Sequence, residues 1–230
     1  MRKHFDDQIA QLGEQMMAMG ALVENTIERA IRALQTDDMA EAAAIRDGDH
    51  VVDEKEREVE AMCIHMLLQQ QPVARDLRTI SAALKMITDM ERIGDQAADI
   101  SEIVTYMSEE NLIQELDRID AMARAASQMV TQSVDAYVKK DLELAKKVIA
   151  DDDAVDELFE EIKRELIRMI AGEPNCGEQA LDFLMIAKYL ERIGDHATNI
   201  AEWVEFSILG RHPEQDEIEG IEDRQGPSER

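Results

Sequence analysis

Apolar residues recur at helical spacing over long stretches of the chain, with few interruptions. Between residues 72 and 107, for example, Leu77, Ile80, Leu84 and Ile87 follow the alternating four- and three-residue spacing of one helix face. Glycine, proline and acidic turn residues cluster at only a few places, and these places set the breaks between helices. The pattern predicts six long helices, at about residues 5–35, 39–70, 72–107, 111–139, 141–171 and 176–209.

The two halves of the chain are copies of one unit. ERIGDQAADI at 91–100 and ERIGDHATNI at 191–200 are identical at seven of ten positions, and DGDHVVDE at 47–54 aligns with ADDDAVDE at 150–157. The offset is 100 residues for the first pair and 103 for the second, so three residues are missing near the second connection. A repeat of this length indicates one supersecondary unit that is used twice.

Composition agrees with a helical fold, because aromatic residues make up only 3% of the 230 residues and there are four prolines. A hydrophobic content of 45% is enough for a substantial core. We therefore predict an all-α protein made of two tandem antiparallel three-helix bundles. The predicted repeats occupy residues 1–108 and 109–210, and the polar residues 211–230 are predicted to form an acidic disordered tail.

The net charge of -26 at pH 7 argues against binding to nucleic acid and favours cations or basic protein surfaces as partners. No apolar run approaches the roughly 20 residues of a membrane span, and the start MRKHFDDQIA lacks the apolar core of a signal peptide. We therefore expect a cytoplasmic protein without a membrane span. Cys63 and Cys176 are isolated in the sequence and are interpreted as buried or incidental thiols.

An acidic pair recurs in both copies at positions where it opposes helix formation. Glu91 and Asp95 are four residues apart, as are Glu191 and Asp195, and like charges at this spacing destabilise a helix. Glu91 also continues the apolar face of its helix, so its ionised carboxylate would need a partner or a shifted pKa. The pairs therefore indicate a site that uses the negative charge.

The preceding helix brings further acids to the same level. If the chain folds back at Pro72, Asp53 lies level with Glu91, and Asp49 lies level with Asp95. The same reasoning in the second copy joins Asp156 to Glu191 and Asp152 to Asp195. Such all-oxygen clusters suit Mg²⁺, Mn²⁺ or Ca²⁺, and iron where several carboxylates bridge. The Glu-x-x-His signature of ferritin-like di-iron proteins is absent from both copies, which makes redox catalysis a weaker prediction.

A simpler interpretation treats each acidic pair as a solvated helix face, neutralised by Arg92 or Arg192 from a neighbouring molecule or helix. Duplication of the pairs argues against it, and so do Gly94 and Gly194. A glycine in the middle of a helix costs about 1 kcal/mol relative to alanine. Close approach of a neighbouring helix or ligand would explain both glycines.

QPVARDLRTISAALKMITDMERIGD at 71–95 and AKYLERIGDHATNIAEWVEF at 187–206 resemble the two signature segments of the PhoU family, and the resemblance covers residues 1–210. It implies two tandem three-helix bundles with multinuclear metal sites. The implied ligands are Asp49, Asp53, Glu91, Asp95, Asp99, Asp152, Asp156, Glu191 and Asp195. Glu24 and Asn199 are weaker candidates, since Ser127 stands at the counterpart of Glu24 and Asn199 at the counterpart of Asp99. The second site is therefore expected to hold fewer ions or to bind them more weakly.

The resemblance also implies a function. It suggests a homodimeric cytoplasmic adaptor, peripheral to the inner membrane through its partners, between the ATPase subunit of the phosphate ABC transporter and a sensor histidine kinase. Such a protein would negatively regulate phosphate uptake and the phosphate-starvation response. The bound cations would be Mg, Mn, Fe or Zn.

Two alternatives stay open from the residues themselves: a carboxylate-cluster protein for metal storage or buffering, and a metalloenzyme. We predict that the chain is not an enzyme, because no activated nucleophile, Gly-rich phosphate loop or Ser/His/Asp grouping is present in the sequence. Accordingly, no catalytic residue is predicted.

Overall fold

The computed structural model describes residues 2–70, 72–107 and 117–211. Within these ranges the chain is helical and carries no strand. The helices are α1 (Arg2–Thr36), α2 (Met39–Asp47), α3 (His50–Gln70), α4 (Ala74–Tyr106), α5 (Asp117–Lys139), α6 (Leu142–Gly172) and α7 (Gly177–Leu209), with a 3-10 turn at Pro174–Cys176. None of the helices in these ranges is both long and apolar enough to cross a bilayer.

One predicted helix is wrong, because the segment 39–70 is broken into α2 and α3 at Gly48 and Asp49. The Gly48 N–H donates to the Ala44 and Ile45 carbonyls, both at 3.1 Å, which closes the end of α2. A Cβ at position 48 would lie 2.9 Å from the Ala44 oxygen, so the turn requires a glycine. Asp49 consequently lies in a turn just ahead of α3 and not in mid-helix. The predicted start of helix four at Asn111, the boundary at 108/109 and the tail beyond residue 211 fall outside the described residues.

The internal repeat extends to the turns between helices. Asp38 caps α2 by accepting a 3.0 Å hydrogen bond from the Glu41 N–H, and Asp141 caps α6 in the same way with Leu144. The residues just before these caps, Asp37 and Lys140, both have a positive φ, at 51° and 54°. Corresponding turns are therefore built from the same capping chemistry in both copies.

Both repeats share one hydrophobic core. The long helices α4 and α7, the last helix of each repeat, pack against each other, while α1 covers α4 and α5 covers α7. Methionines fill part of this core: Met16, Met19 and Met66 are fully buried, and Met62 packs against the core's edge. Cys63 and Cys176 are buried free thiols, as predicted.

The two mid-helix glycines allow a neighbouring helix to approach closely. A Cβ at Gly94 would lie 3.0 Å from Val52 Cγ1 on α3, and a Cβ at Gly194 would lie 3.3 Å from Val155 Cγ1 on α6. Val52 is 2% exposed and Val155 is fully buried. Each glycine therefore lets a buried valine of the preceding helix sit against the backbone of the last helix in its repeat.

We expect Gly94→Ala to lower the thermal unfolding midpoint, although alanine favours a helix by about 1 kcal/mol. The new methyl group would overlap Val52, and overpacking of a core costs about 1–3 kcal/mol. Gly172→Ala is the matched control, since a Cβ there meets no atom within 4 Å. Calorimetry of both variants tests the prediction, and a Gly94→Ala midpoint equal to or above that of Gly172→Ala would contradict it.

Candidate metal centre

Three acids from two elements form a compact cluster, here called the first cluster: Asp49 in the turn before α3, Asp53 in α3 and Asp95 in α4. Each offers a carboxylate oxygen, and these oxygens all lie within 4.8 Å of one another. All three side chains are half-buried. Within residues 2–70, 72–107 and 117–211, no other group of three potential metal-binding side chains lies within this distance. The geometry thus joins acids that the sequence placed at one level.

The carboxylates of the first cluster perturb one another strongly. Burial, followed by the charges of Asp49, Asp53 and Asp99, raises the pKa of Asp95 to about 6. Burial and the charges of Asp53 and Asp99 also raise the pKa of Asp49, whereas a hydrogen bond with Asp95 lowers it. Below about pH 6, in the absence of a cation, Asp95 is therefore the protonated member of the pair and donates to Asp49. A divalent cation would replace that proton and satisfy the excess negative charge.

Glu91 extends the cluster along α4. Burial raises its pKa, and the charges of Asp95, Glu56 and Asp53 raise it further, while Arg92 has a smaller lowering effect. Arg92 forms no ion pair with Glu91 in the part of the chain that the structure describes. Arg92 within the same chain therefore offsets the charge of Glu91 only in part. Glu56 was not identified from the sequence, although its position one helical turn beyond Asp53 places it on the same face of the helix.

Asp99 borders the first cluster and contacts the second repeat. Burial and the charge of Glu102 raise its pKa, while Arg192 and a hydrogen bond with Tyr189 lower it. The charge of Asp99 in turn raises the pKa of both Asp49 and Asp95. Asp99 is thus close enough to act on the cluster, and burial and Glu102 keep its pKa above the usual value although Arg192 and Tyr189 on α7 offset part of the rise.

The equivalent acids of the second repeat also lie together, and they are called the second cluster: Asp152, Asp156, Glu191 and Asp195. Burial, followed by the charges of Asp195, Asp156, Asp153 and Glu191, raises the pKa of Asp152 to about 6. Burial and Glu191 raise the pKa of Asp195. Asp152 packs close to α7, since a Cβ at Gly194 would lie 3.2 Å from its Oδ1. The predicted level-matching of α6 and α7 therefore places these acids within electrostatic range.

The second cluster is more open and is already partly neutralised. Asp156 and Asp195 are exposed, and Lys188 forms an ion pair with Glu191. The Lys188 ammonium also lies 5.4 Å from the centre of the Phe159 ring. Thr88 and Glu56 occupy the corresponding positions of the first repeat. Relative to the first repeat, these two changes remove an acid and add a cation. The weaker second site stays a prediction, and Lys188 was not identified from the sequence.

The two weaker candidates occupy other surroundings. Glu24 lines a groove of about 600 Å³ between α1 and α5, with its counterpart Ser127 on the opposite wall. Asn199 donates a hydrogen bond of 3.3 Å to Oδ1 of the buried Asp89. The same oxygen is hydrogen-bonded with His196 Nδ1 at 2.9 Å. The structure therefore places Glu24 away from the first cluster and uses Asn199 to join α7 to α4.

The donor set of the first cluster fits a hard divalent cation. All its ligand atoms are carboxylate oxygens, as Mg²⁺, Mn²⁺ and Ca²⁺ prefer, and no thiol or imidazole contributes to the group. The half-buried position weakens solvation of the charges without excluding water from the remaining coordination positions. Asp49, Asp53 and Asp95 would hold the ion, with Glu91 and Asp99 at its edge.

We expect the metal-free chain to lose stability as the pH rises from about 4 to 6. The raised pKa of Asp95 and Asp152, each about 6 in the folded state, means that the folded chain retains protons that the unfolded chain has released. Thermal unfolding in chelator should therefore show a falling midpoint across this range, and added Mn²⁺ at pH 7 should raise it. Asp95→Asn with Asp152→Asn should flatten the dependence.

Asp153→Asn serves as the control for that experiment, because Asp153 is exposed beside the second cluster. It should preserve most of the pH dependence. A midpoint that rises between pH 4 and 6 in the metal-free parent would contradict the prediction.

Comparison with known proteins places the chain in a family. The model of the PhoU domain matches it twice, at residues 16–104 and 119–204. The chain is 35% identical over 211 residues to the phosphate-specific transport system accessory protein PhoU homolog of Clostridium acetobutylicum, covering 91% of this chain and 96% of that protein. It is 36% identical over 185 residues to the homolog of the same name from Aquifex aeolicus, covering 80% of this chain and 84% of that protein.

Solved structures agree with the duplicated helical fold. The crystal structure of PhoU from Pseudomonas aeruginosa superimposes with a TM-score of 0.84 at 31% identity, covering 90% of this chain and all of that one. The phosphate transport system regulatory protein PhoU from Streptococcus pneumoniae gives a TM-score of 0.83 at 25% identity, covering 90% and 98%. The relatives are named as accessory or regulatory proteins and not as enzymes, in agreement with the prediction for this chain. With two PhoU domains that together span most of its length, the chain belongs to the PhoU family.

Proposed function

We propose that this protein is a cytoplasmic accessory protein of a phosphate transport system that negatively regulates phosphate uptake and the phosphate-starvation response. The observation that carries the proposal is its similarity, over 91% of its length, to a protein named as a phosphate-specific transport system accessory protein. The structural neighbour from Streptococcus pneumoniae is named as a regulatory protein of the same kind of system. Both comparisons support a regulatory role in place of a catalytic one.

In this proposal the protein acts as an adaptor. It links the ATPase subunit of the phosphate ABC transporter to the sensor histidine kinase, and it lies at the inner membrane through these partners. The excess of 51 acidic over 25 basic residues gives a surface that suits basic partner faces. Homodimer formation would present two copies of the docking surface to the transporter.

The acidic clusters supply the metal-dependent part of the proposal. A cation bound by Asp49, Asp53 and Asp95 would join the turn before α3 to α4, and one bound at the second cluster would join α6 to α7. Mn²⁺, Mg²⁺, iron or Zn²⁺ would thereby lock the helices of each repeat together. Metal storage needs the same carboxylates but no regulatory partner, so experiments in cells separate the two functions.

We expect Asp95→Ala combined with Asp195→Ala to reduce bound Mn²⁺ sharply while preserving helicity. Removing one acid of a like-charged i, i+4 pair relieves repulsion within the helix, so the helices should remain folded. Elemental analysis and circular dichroism test this expectation. Glu14→Ala with Glu157→Ala removes two exposed acids outside the clusters and should leave metal content unchanged. Equal metal content in the cluster variant and the parent would reject the assignment of the clusters.

Deletion of the gene should produce high output from a phosphate-starvation reporter in cells grown with abundant phosphate. The intact gene should silence the reporter, whereas a variant with alanine at Glu91, Asp95, Glu191 and Asp195 should fail at equal expression. Silence of the reporter in the deletion strain would overturn the regulatory role and favour metal buffering. Full silencing by the alanine variant would separate regulation from the acidic clusters.

A further inference from the structure

A small cavity of about 190 Å³ lies at one end of the bundle, where the start of α4, the end of α5 and the end of α7 meet. Its lining residues are Arg75, Thr79, Tyr137, Lys140, Ser207 and Ile208. Pockets for drug-sized ligands measure roughly 300–1,000 Å³, so this cavity suits an ion or a molecule of a few heavy atoms. No residue of either acidic cluster lines it, and it is therefore a separate candidate site.

Two cationic side chains, Arg75 and Lys140, line the cavity in a chain whose net charge is -26. Neither forms an ion pair within residues 2–70, 72–107 and 117–211, although the adjacent Lys139 pairs with Asp135 at 2.6 Å. The carboxylate of Asp141, which follows Lys140, accepts the capping hydrogen bond of α6 at 3.0 Å. The two charges at the cavity are thus available to an anionic ligand.

Arg78 adds a third positive charge beside the cavity, one helical turn beyond Arg75. Its guanidinium lies against the end of α7, since a Cβ at Gly210 would be 3.2 Å from Arg78 Cζ. The buried Nε of Arg78 has no hydrogen-bond partner in the part of the chain that the structure describes. In the second repeat the counterparts of Arg75 and Arg78, at an offset of 100 residues, are Asn175 and Glu178. The repeated fold therefore does not require cations at these positions.

Lys140 is likewise unexplained by the local backbone. Its counterpart in the first repeat, at an offset of 103 residues, is Asp37, and both residues have a left-handed backbone with φ of 54° and 51°. Glycine, asparagine and aspartate favour this conformation, whereas lysine does not. A lysine at this turn thus has a use for its side chain, and the ammonium group lines the cavity.

The hydroxyl groups that line the cavity all donate to backbone carbonyls. Tyr137 donates to the Thr79 carbonyl at 3.0 Å, and the Thr79 hydroxyl donates to the Arg75 carbonyl at 3.2 Å. Ser207 donates to the Val204 carbonyl at 2.8 Å. Because each hydroxyl proton is already used, the hydroxyl oxygens can offer a ligand only lone pairs. The cavity therefore combines positive charge with hydrogen-bond acceptors.

We propose that this cavity binds inorganic phosphate. The Arg75 guanidinium and the Lys140 ammonium supply charge-assisted hydrogen bonds to the phosphate oxygens. Near neutral pH phosphate also carries an O–H group, which donates to a hydroxyl oxygen of the lining, that of Tyr137 or of Ser207. Sulfate has the same shape but no such proton, so the cavity should prefer phosphate.

Bound phosphate would connect the two repeats. Arg75 belongs to the first repeat, whereas Lys140 and Ser207 belong to the second. A ligand that binds only the folded chain stabilises it, so phosphate should raise the thermal unfolding midpoint. Binding itself depends neither on the metal centres nor on the regulatory role. Its use as a direct signal of phosphate supply rests on the proposed function.

Equilibrium dialysis of the full-length chain with labelled phosphate tests the inference. EDTA is present throughout, so that no cation at the acidic clusters can hold the phosphate. We expect the parent to bind a single phosphate per chain and to bind it more tightly than sulfate at equal ionic strength. Arg75→Gln with Lys140→Gln should weaken phosphate binding by roughly 10–100-fold, because two charge-assisted contacts are lost. Both side chains are exposed, so helicity should be retained.

Arg168→Gln with Lys146→Gln is the matched control, since it removes two exposed cations of α6 and changes the net charge equally. It should leave the phosphate affinity unchanged. An equal loss of affinity in the two double variants would assign binding to overall charge and would overturn the site.

Three further outcomes would contradict the proposal. Absence of phosphate binding by the parent in EDTA would overturn it, while metal content and reporter output would still decide the proposed function. Sulfate binding as tight as phosphate binding would show that the hydroxyl oxygens do not recognise the phosphate proton, and would overturn the choice of ligand. Tighter binding of glycerol 3-phosphate than of inorganic phosphate would assign the cavity to phosphate esters and would overturn the assignment to the free ion.

Discussion

The fold depends on the close approach of a valine to a glycine in each repeat. Val52 packs on the backbone of α4 at Gly94, and Val155 packs on α7 at Gly194. Full burial of a valine contributes about 1.5–3 kcal/mol. Because Asp49 and Asp53 flank Val52, and Asp152 and Asp156 flank Val155, apolar packing draws acids of like charge towards the next helix. Hydrophobic packing thus assembles clusters that electrostatics alone would separate.

Bringing these acids together has an unfavourable electrostatic effect, which raises the pKa of their carboxyl groups. Burial is the largest cause of the raised pKa at both Asp95 and Asp152, and the neighbouring acids add to it. A proton relieves the repulsion in the metal-free chain at low pH, and a cation would relieve it near neutral pH. Exchange of a proton for a cation at these carboxylates would be the physical basis of the proposed metal-dependent adaptor.

Duplication did not produce two equal sites. Lys188 brings a cation to Glu191, and Phe159 stands where the first repeat has Glu56, so the second cluster has one acid fewer and one neighbouring cation more than the first. At the seam between the repeats, Asn199 has become a donor to Asp89, while Asp99 has kept its negative charge beside the first cluster. The two repeats are joined through the packing of α4 against α7.

The sequence by itself determined the helical class, the duplication, the family and the levels at which the acids face each other. These follow from local properties: apolar spacing, few helix breakers and a regular rise per residue, which together determine height along a helix. The rotation of each helix about its own axis and the crossing of helices that are distant in the chain do not follow from local sequence. Only the tertiary structure decided them. It broke the second predicted helix at Gly48, moved Glu24 into a groove with α5, and set His196 and Asn199 against Asp89. Such contacts join residues far apart in the chain, because packing of the shared core, and not the spacing of residues within one helix, determines which faces meet.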